Sequence, residues 1–141
     1  MNTVKPVVNT LLTLMQSYRV TIRKAINANE LGLNAMHVRC LHIIATTQRC
    51  SANDIVTQTQ RDKAQIARLI KELITLNLID KCASEEDKRS FILSFTAQGD
   101  VLFSKLLEAE KQVNTLMCKN LTPQQIKDFS SVAAMMSENL K

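Results

Sequence analysis

The stretch SANDIVTQTQRDKAQIARLIKELITL, residues 51–76, contains two helix starts in quick succession. Ser51-x-x-Asp54 has the spacing of a capping box with Asp in place of Glu, and Asp62-x-x-Gln65 repeats it with a fuller partner. The first start opens a short helix through Ile55 and Val56. The second opens a longer one that reaches about Leu76. In the longer helix Ile66, Leu69, Ile70 and Leu73 recur at three- and four-residue steps and form the face to be buried. Lys63, Ala64, Gln65, Arg68 and Lys71 are left outside, so the outer face is basic. Thr59, Gln60 and Arg61 make the turn. A short helix, a tight turn and a longer helix form a helix-turn-helix.

Downstream comes LIDKCASEEDKRSFILSFTAQG, residues 78–99. Asn77 stands where the longer helix needs a left-handed residue to end it, and Asn tolerates that conformation next after Gly. Leu78–Ala83 and Ser90–Phe95 read as two strands, with Phe91, Leu93 and Phe95 on one face by the period of two. The polar loop Ser84–Arg89 joins them as a wing. A loop that only closed a hairpin needs about two residues, so the extra length gives reach. Arg89 near its tip suits the negative potential of a narrow minor groove, and Asp87 stands close enough to orient it. A reaching hairpin beside a basic helix fits a double helix, one element for each groove.

The flanks are helical. Over residues 6–29, Val8, Leu11, Leu12, Met15, Tyr18, Ile22 and Ile26 make one stripe, with Gly32 expected to end the helix. Asn34 caps a second helix carrying Met36, Val38, Leu41, Ile44 and Ala45. After the wing, Leu102, Leu106, Ala109, Val113 and Leu116 step by four and three. Behind the Thr122-Pro123-x-Gln125 start, Ile126, Phe129, Ala133, Met136 and Leu140 do the same. Such seams are ordinary intramolecular core in most lone helices. Placed at both ends of the chain, outside a compact helix-turn-helix, they point to a second copy. The expected class is mostly α, a winged helix-turn-helix with N- and C-terminal dimerisation helices. Its parts are an N-terminal helix (1–33), the winged helix (34–96) and C-terminal helices (97–141).

Composition narrows the function. Of 141 residues, 45% are hydrophobic and 22% charged, with only two Gly and two Pro, so turns are few and helix dominates. The net charge of +5 suits an anionic partner without proving one. Cysteines at 40, 50, 82 and 118 form no Cys-x-x-Cys pair. Cys40 reads as core, and Cys82, beside Lys81, is the better candidate for a reactive thiol. The start of the chain carries no continuous apolar run and no segment reaches membrane-span length, so a cytoplasmic protein with reduced thiols is expected. His37 and His42 do not share a helical face, and no cluster completes a metal site. No phosphate loop, nucleophile elbow or zinc-protease motif occurs, so neither a catalytic residue nor a cofactor is expected.

The order of elements resembles the MarR family of winged-helix transcriptional regulators over nearly the whole chain. The most specific parts are the helix-turn-helix at residues 51–76, the exit from Leu76 into the wing, and Asp87-Lys88-Arg89 ahead of Phe95-Thr96 and Gly99. Asn77 stands where the family usually has Gly, Phe95-Thr96 where it has Leu-Thr, and Gln60 where many members have a turn Gly. The resemblance implies a homodimer with intertwined terminal helices, each recognition helix entering a major groove of a near-palindromic duplex. By that likeness Lys63, Ala64, Gln65 and Arg68 line the groove face. Chemistry agrees, since Gln can pair with adenine, Arg with guanine, and Ala can touch a thymine methyl. Ser51 and Lys71 would hold phosphates, and Lys88 and Arg89 would bind from the wing with Asp87 orienting. The family also implies a small lipophilic or phenolic anion as effector, with Tyr18, Arg19, His37 and Arg39 as pocket residues. Glu85 and Glu86 on the wing keep a second reading open, a winged-helix protein-interaction module or an antagonist that heterodimerises with another regulator.

Overall fold

Every described helix but the first begins on a side chain that caps it. The computed structural model describes residues 6–27, 32–86 and 90–141. Among these, α1 is Val7–Ile26, α2 Ala35–Thr46, α3 Ala52–Thr59, α4 Lys63–Thr75, α5 Ala97–Met117 and α6 Pro123–Asn139, with strands β1, Ile79–Ala83, and β2, Phe91–Phe95, between α4 and α5. Asn34 Oδ1 accepts the His37 amide at 2.9 Å, and His37 Nδ1 accepts the Asn34 amide at 3.0 Å. Ser51 and Asp54 form the reciprocal pair that starts α3, and Thr122 and Gln125 the one that starts α6. Asp62 takes the Gln65 amide at 2.7 Å, but the expected return bond from Gln65 is not made, so Gln65 keeps its amide for other partners. Each such cap contributes about 1 kcal/mol.

The turns are made largely without glycine. Gln60 ends α3 at φ 55°, in the left-handed region that resemblance assigns to Gly. Asn77 ends α4 at φ 59°, with its amide on the Ile74 carbonyl and the Leu78 amide on that of Leu73. Those two bonds are the Schellman pattern. Helix α1 stops earlier than expected. Asn27, at φ 51°, turns its amide back to Arg23 and Lys24, so Asn and not Gly32 is the stop. The physical reason is the same local tolerance of Asn for positive φ.

The core lies between α2, α3, α4 and the hairpin. Leu41, Ile55, Ile66, Leu73 and Ile79 are fully buried, with Leu69, Ile70 and Leu93 around them. Strands β1 and β2 pair antiparallel with Ile79 opposite Phe95 and Ala83 opposite Phe91, within a residue of the expected limits. The Leu93 amide also bonds the Cys50 carbonyl at 2.8 Å, which pins β2 to the segment entering α3. Leu93 and Phe95 turn inward as expected. Phe91, on the same face, lies beyond the core and is exposed, with the Lys81 ammonium 4.8 Å above its ring.

The wing leaves this core through a tight corner. Thr96 donates its amide to the Leu78 carbonyl at 3.1 Å and its hydroxyl to the Asn77 carbonyl at 2.7 Å, while its oxygen accepts the Gly99 amide at 2.9 Å. A Cβ at Gly99 would lie 1.9 Å from the Leu78 oxygen, so only glycine fits.

The seam on α5 does not wait for a second copy. Leu106, 3% exposed, Ala109 and Val113 are buried within this chain, where α5 packs along α1. The heptad pattern was satisfied by an intramolecular neighbour, which periodicity alone does not distinguish from a partner. The other seam stays open. Helix α6 has no buried residue, and Phe129 is 60% exposed. Val8, Leu11, Leu12 and Met15 are likewise exposed on α1. No helix among the described residues is long and apolar enough to cross a membrane.

Gly99→Ala should lower stability by at least ~2 kcal/mol, because backbone rather than a side chain blocks the new methyl. Gln60→Gly, which removes the left-handed penalty, should leave stability unchanged or raise it by up to ~1 kcal/mol. Urea unfolding of both variants at one protein concentration tests the pair. A Gly99→Ala midpoint equal to the parent's would mean that the corner can open without cost.

Candidate nucleic-acid interface

Helix α4 is divided by its own periodicity. Ile66, Leu69, Ile70 and Leu73 anchor one side in the core, so the opposite side must face outward. There Lys63, Ala64, Arg68 and Lys71 are exposed, and Gln65 is half-buried next to them. Asp62, capping the helix, and the left-handed Gln60 set the angle at which this face is presented. The sequence-predicted groove residues are thus brought to one surface. Among the described residues neither Lys63 nor Lys71 has an ion pair; Arg68 is paired with Glu72 through Nε at 3.6 Å and is 68% exposed. Free amides at the start of the helix add to the positive end of this face.

Ser51 caps α3 with a closed set of bonds. Its amide and its hydroxyl both donate to Asp54 Oδ2, at 2.9 and 3.1 Å, and its oxygen accepts the Asp54 amide. Both donors are thus engaged inside the cap.

On the hairpin, the Ser84 amide bonds the Ser90 carbonyl at 3.0 Å and closes the ladder below the wing tip. Glu86 is paired at 3.8 Å with Arg49, which sits at φ 53° in the connection between α2 and α3. One wing carboxylate is therefore within reach of a residue that sequence reasoning passed over. An isolated Arg in a short loop gives no periodic signal. Asp87, Lys88 and Arg89 lie outside the described residues.

The four residues expected to line an effector pocket lie on the first two helices. Tyr18 and Arg19 are on α1, and Arg39 is exposed on α2. Burial, with the Glu110 carboxylate as a lesser cause, raises the Tyr18 hydroxyl above its ordinary pKa. His37 is 3% exposed, and both ring nitrogens are taken, Nδ1 by the Asn34 amide and Nε2 by Glu72 at 2.8 Å. His42 bonds Glu110 at 2.6 Å and meets Phe103 edge-on, tying α2 to α5. An apolar cavity of about 510 Å³ lies between the end of α1 and the start of α5, lined by Ile26, Leu76, Leu78, Val101, Leu102 and Lys105. A smaller one beside it shares Ile26, Leu102 and Lys105. No His, Cys, Asp and Glu cluster among the described residues can hold a metal.

Residues 31–90 match the model of the MarR family. No curated protein is a significant match to the chain. Solved structures align over almost all of it. A crystal structure of MarR is 24% identical and superposes with a TM-score of 0.80 over 99% of this chain and 94% of that one. A MarR-family regulator from Listeria monocytogenes, solved with a 26mer DNA, is 20% identical, with a TM-score of 0.81 over 97% and 90%. BpsR of Bordetella bronchiseptica, described as regulated in DNA binding by 6-hydroxynicotinic acid, is 20% identical, with a TM-score of 0.80 over 97% and 96%. At these identities the likeness establishes a shared fold.

The cysteines divide by environment. Burial pushes the thiols of Cys40 and Cys50 up to about 11, with the Asp54 carboxylate adding to the effect at Cys50. Both stay protonated, and so unreactive, near neutral pH. Cys82 is exposed and Cys118 half-buried. Brief iodoacetamide treatment of the folded chain at pH 7.5 should label Cys82 first and Cys118 more slowly. Cys40 and Cys50 should react only after unfolding, as peptide mass mapping would show. Early labelling of Cys50 would contradict the packing of the α2–α3 connection.

Proposed function

We propose, from the premise that residues 31–90 belong to the MarR family, that this chain is a sequence-specific DNA-binding transcriptional regulator acting as a homodimer on a near-palindromic operator. The observation that carries the reading is the two-sided α4. Its apolar side is fully engaged in the core, and its other side offers Lys63, Ala64, Gln65, Arg68 and Lys71 together. In this reading Gln65 and Arg68 touch base edges in the major groove, and Lys63 and Lys71 hold phosphates. Arg89, with Lys88, reaches the minor groove from the wing and Asp87 orients it.

The partner is a second copy. Val8, Leu11, Leu12 and Met15 of α1 and Ile126, Phe129 and Met136 of α6 expose apolar surface that a lone chain leaves wet. Each such side chain contributes ~1.5–3 kcal/mol when buried. The cavity between α1 and α5 suits a lipophilic anion, its apolar wall taking a ring and the Lys105 ammonium a carboxylate. A ligand there would touch both a terminal helix and the exit of α4, and so bias the spacing of the two recognition helices. The interaction-module alternative rests on Glu85 and Glu86, of which Glu86 stands 3.8 Å from the Arg49 guanidinium.

Sedimentation at micromolar concentration should show a dimer, and Phe129→Glu with Met136→Glu should shift it to monomer while the core residues keep their protection from hydrogen exchange. A native chain that sediments as monomer would remove the symmetric arrangement.

Binding to its selected operator should weaken with salt at a log–log slope of about −4 to −5, as expected for four to six neutralised phosphates. Gln65→Ala and Arg68→Ala should each cost ~1–3 kcal/mol and relax preference at particular base pairs, whereas Lys71→Ala weakens all sequences alike. Arg89→Ala should lower affinity about tenfold or more with no change in thermal stability, and Asp87→Ala should do less. Fluorescence anisotropy across a salt series measures the native slope and the affinities of all five variants. A flat salt response would favour the interaction module.

A further inference from the structure

We propose that Glu72 is a specificity-determining positioning residue, which holds the Arg68 guanidinium in a reading pose and is itself held by the buried His37. The inference rests on α4 being the recognition helix, and it assigns a role to a residue that the proposed contacts leave out.

The geometry is a relay of three side chains from two helices. Because His37 Nδ1 accepts the Asn34 amide, the ring proton must be on Nε2. That N–H donates to Glu72 Oε2 at 2.8 Å. The other oxygen, Oε1, stands 3.6 Å from Arg68 Nε, one helical turn away. His37 is locked on both sides of its ring and lies in the wall of the core, so the carboxylate has a fixed origin. Pairing at Nε leaves the two terminal nitrogens of Arg68 without an ion pair among the described residues. Those are the atoms that can bracket a guanine edge.

Simpler reasons for an acid at this position fall short. With Arg ahead of Glu, the pair has the less favourable order for helix stability. A carboxylate beside a phosphate-binding face opposes DNA approach. The bond from His37 needs only an acceptor, which the carbonyl of a glutamine supplies equally well. What a carboxylate adds is a charged hold on Arg68. A free Arg surrenders its rotamer freedom on docking, and a tethered one has less to surrender. The contact is loose in water at 3.6 Å and gains strength as DNA displaces solvent from it.

Glu72→Gln separates these effects. It keeps an acceptor for His37, removes the negative charge, and turns an amide toward Arg68. Native chain, Glu72→Gln, Arg68→Ala and the double variant would each be used to select from a random-sequence duplex library, with affinities for the selected and for random DNA measured by anisotropy. Discrimination at the base pair lost in Arg68→Ala should also fall about tenfold in Glu72→Gln. Its affinity for random DNA should hold or rise, its unfolding midpoint should not move, and the double variant should lose nothing more. Native-like discrimination by Glu72→Gln overturns the proposal, as does a loss spread evenly over all base pairs. A native chain that selects no sequence at all overturns the DNA-binding reading first, and this inference with it. Should Glu72→Gln fail to fold, the Arg68 Nε–Hε resonance of the native chain decides. A rigid signal supports the tether, and one as mobile as that of the exposed Arg61 refutes it.

Discussion

Gly99 packs against the carbonyl of Leu78 so closely that no Cβ fits between them, and the arrangement of the candidate interface depends on it. That carbonyl accepts the Thr96 amide, and Thr96 in turn caps the long α5 and grips the Asn77 carbonyl. Helix α4, the hairpin and α5 therefore meet within a few residues. A shift of one must move the others, because close-packed elements have no slack to absorb it. An effector bound between α1 and α5 would act on this junction directly, since Leu76, Leu78, Gln98 and Val101 line the cavity there.

A separation of duties follows. Stability resides in the apolar side of α4 and its neighbours, and the proposed recognition falls to polar residues that touch little of the protein. Surface substitutions away from caps and cores usually change stability by less than about 0.5 kcal/mol. The outward side of α4 can therefore change its sequence preference without endangering the fold. Glu72 is the exception, since it reaches from that surface to a buried histidine.

Much of this was legible in the chain. Caps announce themselves by a side chain and a spacing, so the starts of α2, α3, α4 and α6 could be read directly, and the strands came within a residue. Periodicity showed which side of each helix is apolar but not what covers it. Leu106 and Val113 went to α1 of the same chain, whereas Phe129 and Met136 found no cover. The outward face was readable where it lay on one element, as with Lys63 to Lys71. It was unreadable where it depended on side chains from distant segments. The bond from His37 on α2 to Glu72 on α4 is an example. Such commitments depend on which segments come together in space, which no local pattern records.

The placement of the buried residues also has a consequence for how the chain is made. The main core runs from Leu33 to Leu93 and uses nothing from α1, which has no buried residue of its own. A ribosome releases α1 first, yet the helix it lies against, α5, emerges only after the whole winged helix. For that interval α1 travels without the helix that seats it, and its stripe from Val8 to Met15, exposed in the folded chain as well, carries the hazard that any apolar surface brings to a nascent chain. The winged helix can close in the meantime, because its contacts lie within one continuous segment. Synthesis from one end thus orders assembly, with the core formed first, α1 seated by α5 next, and α6 left until last.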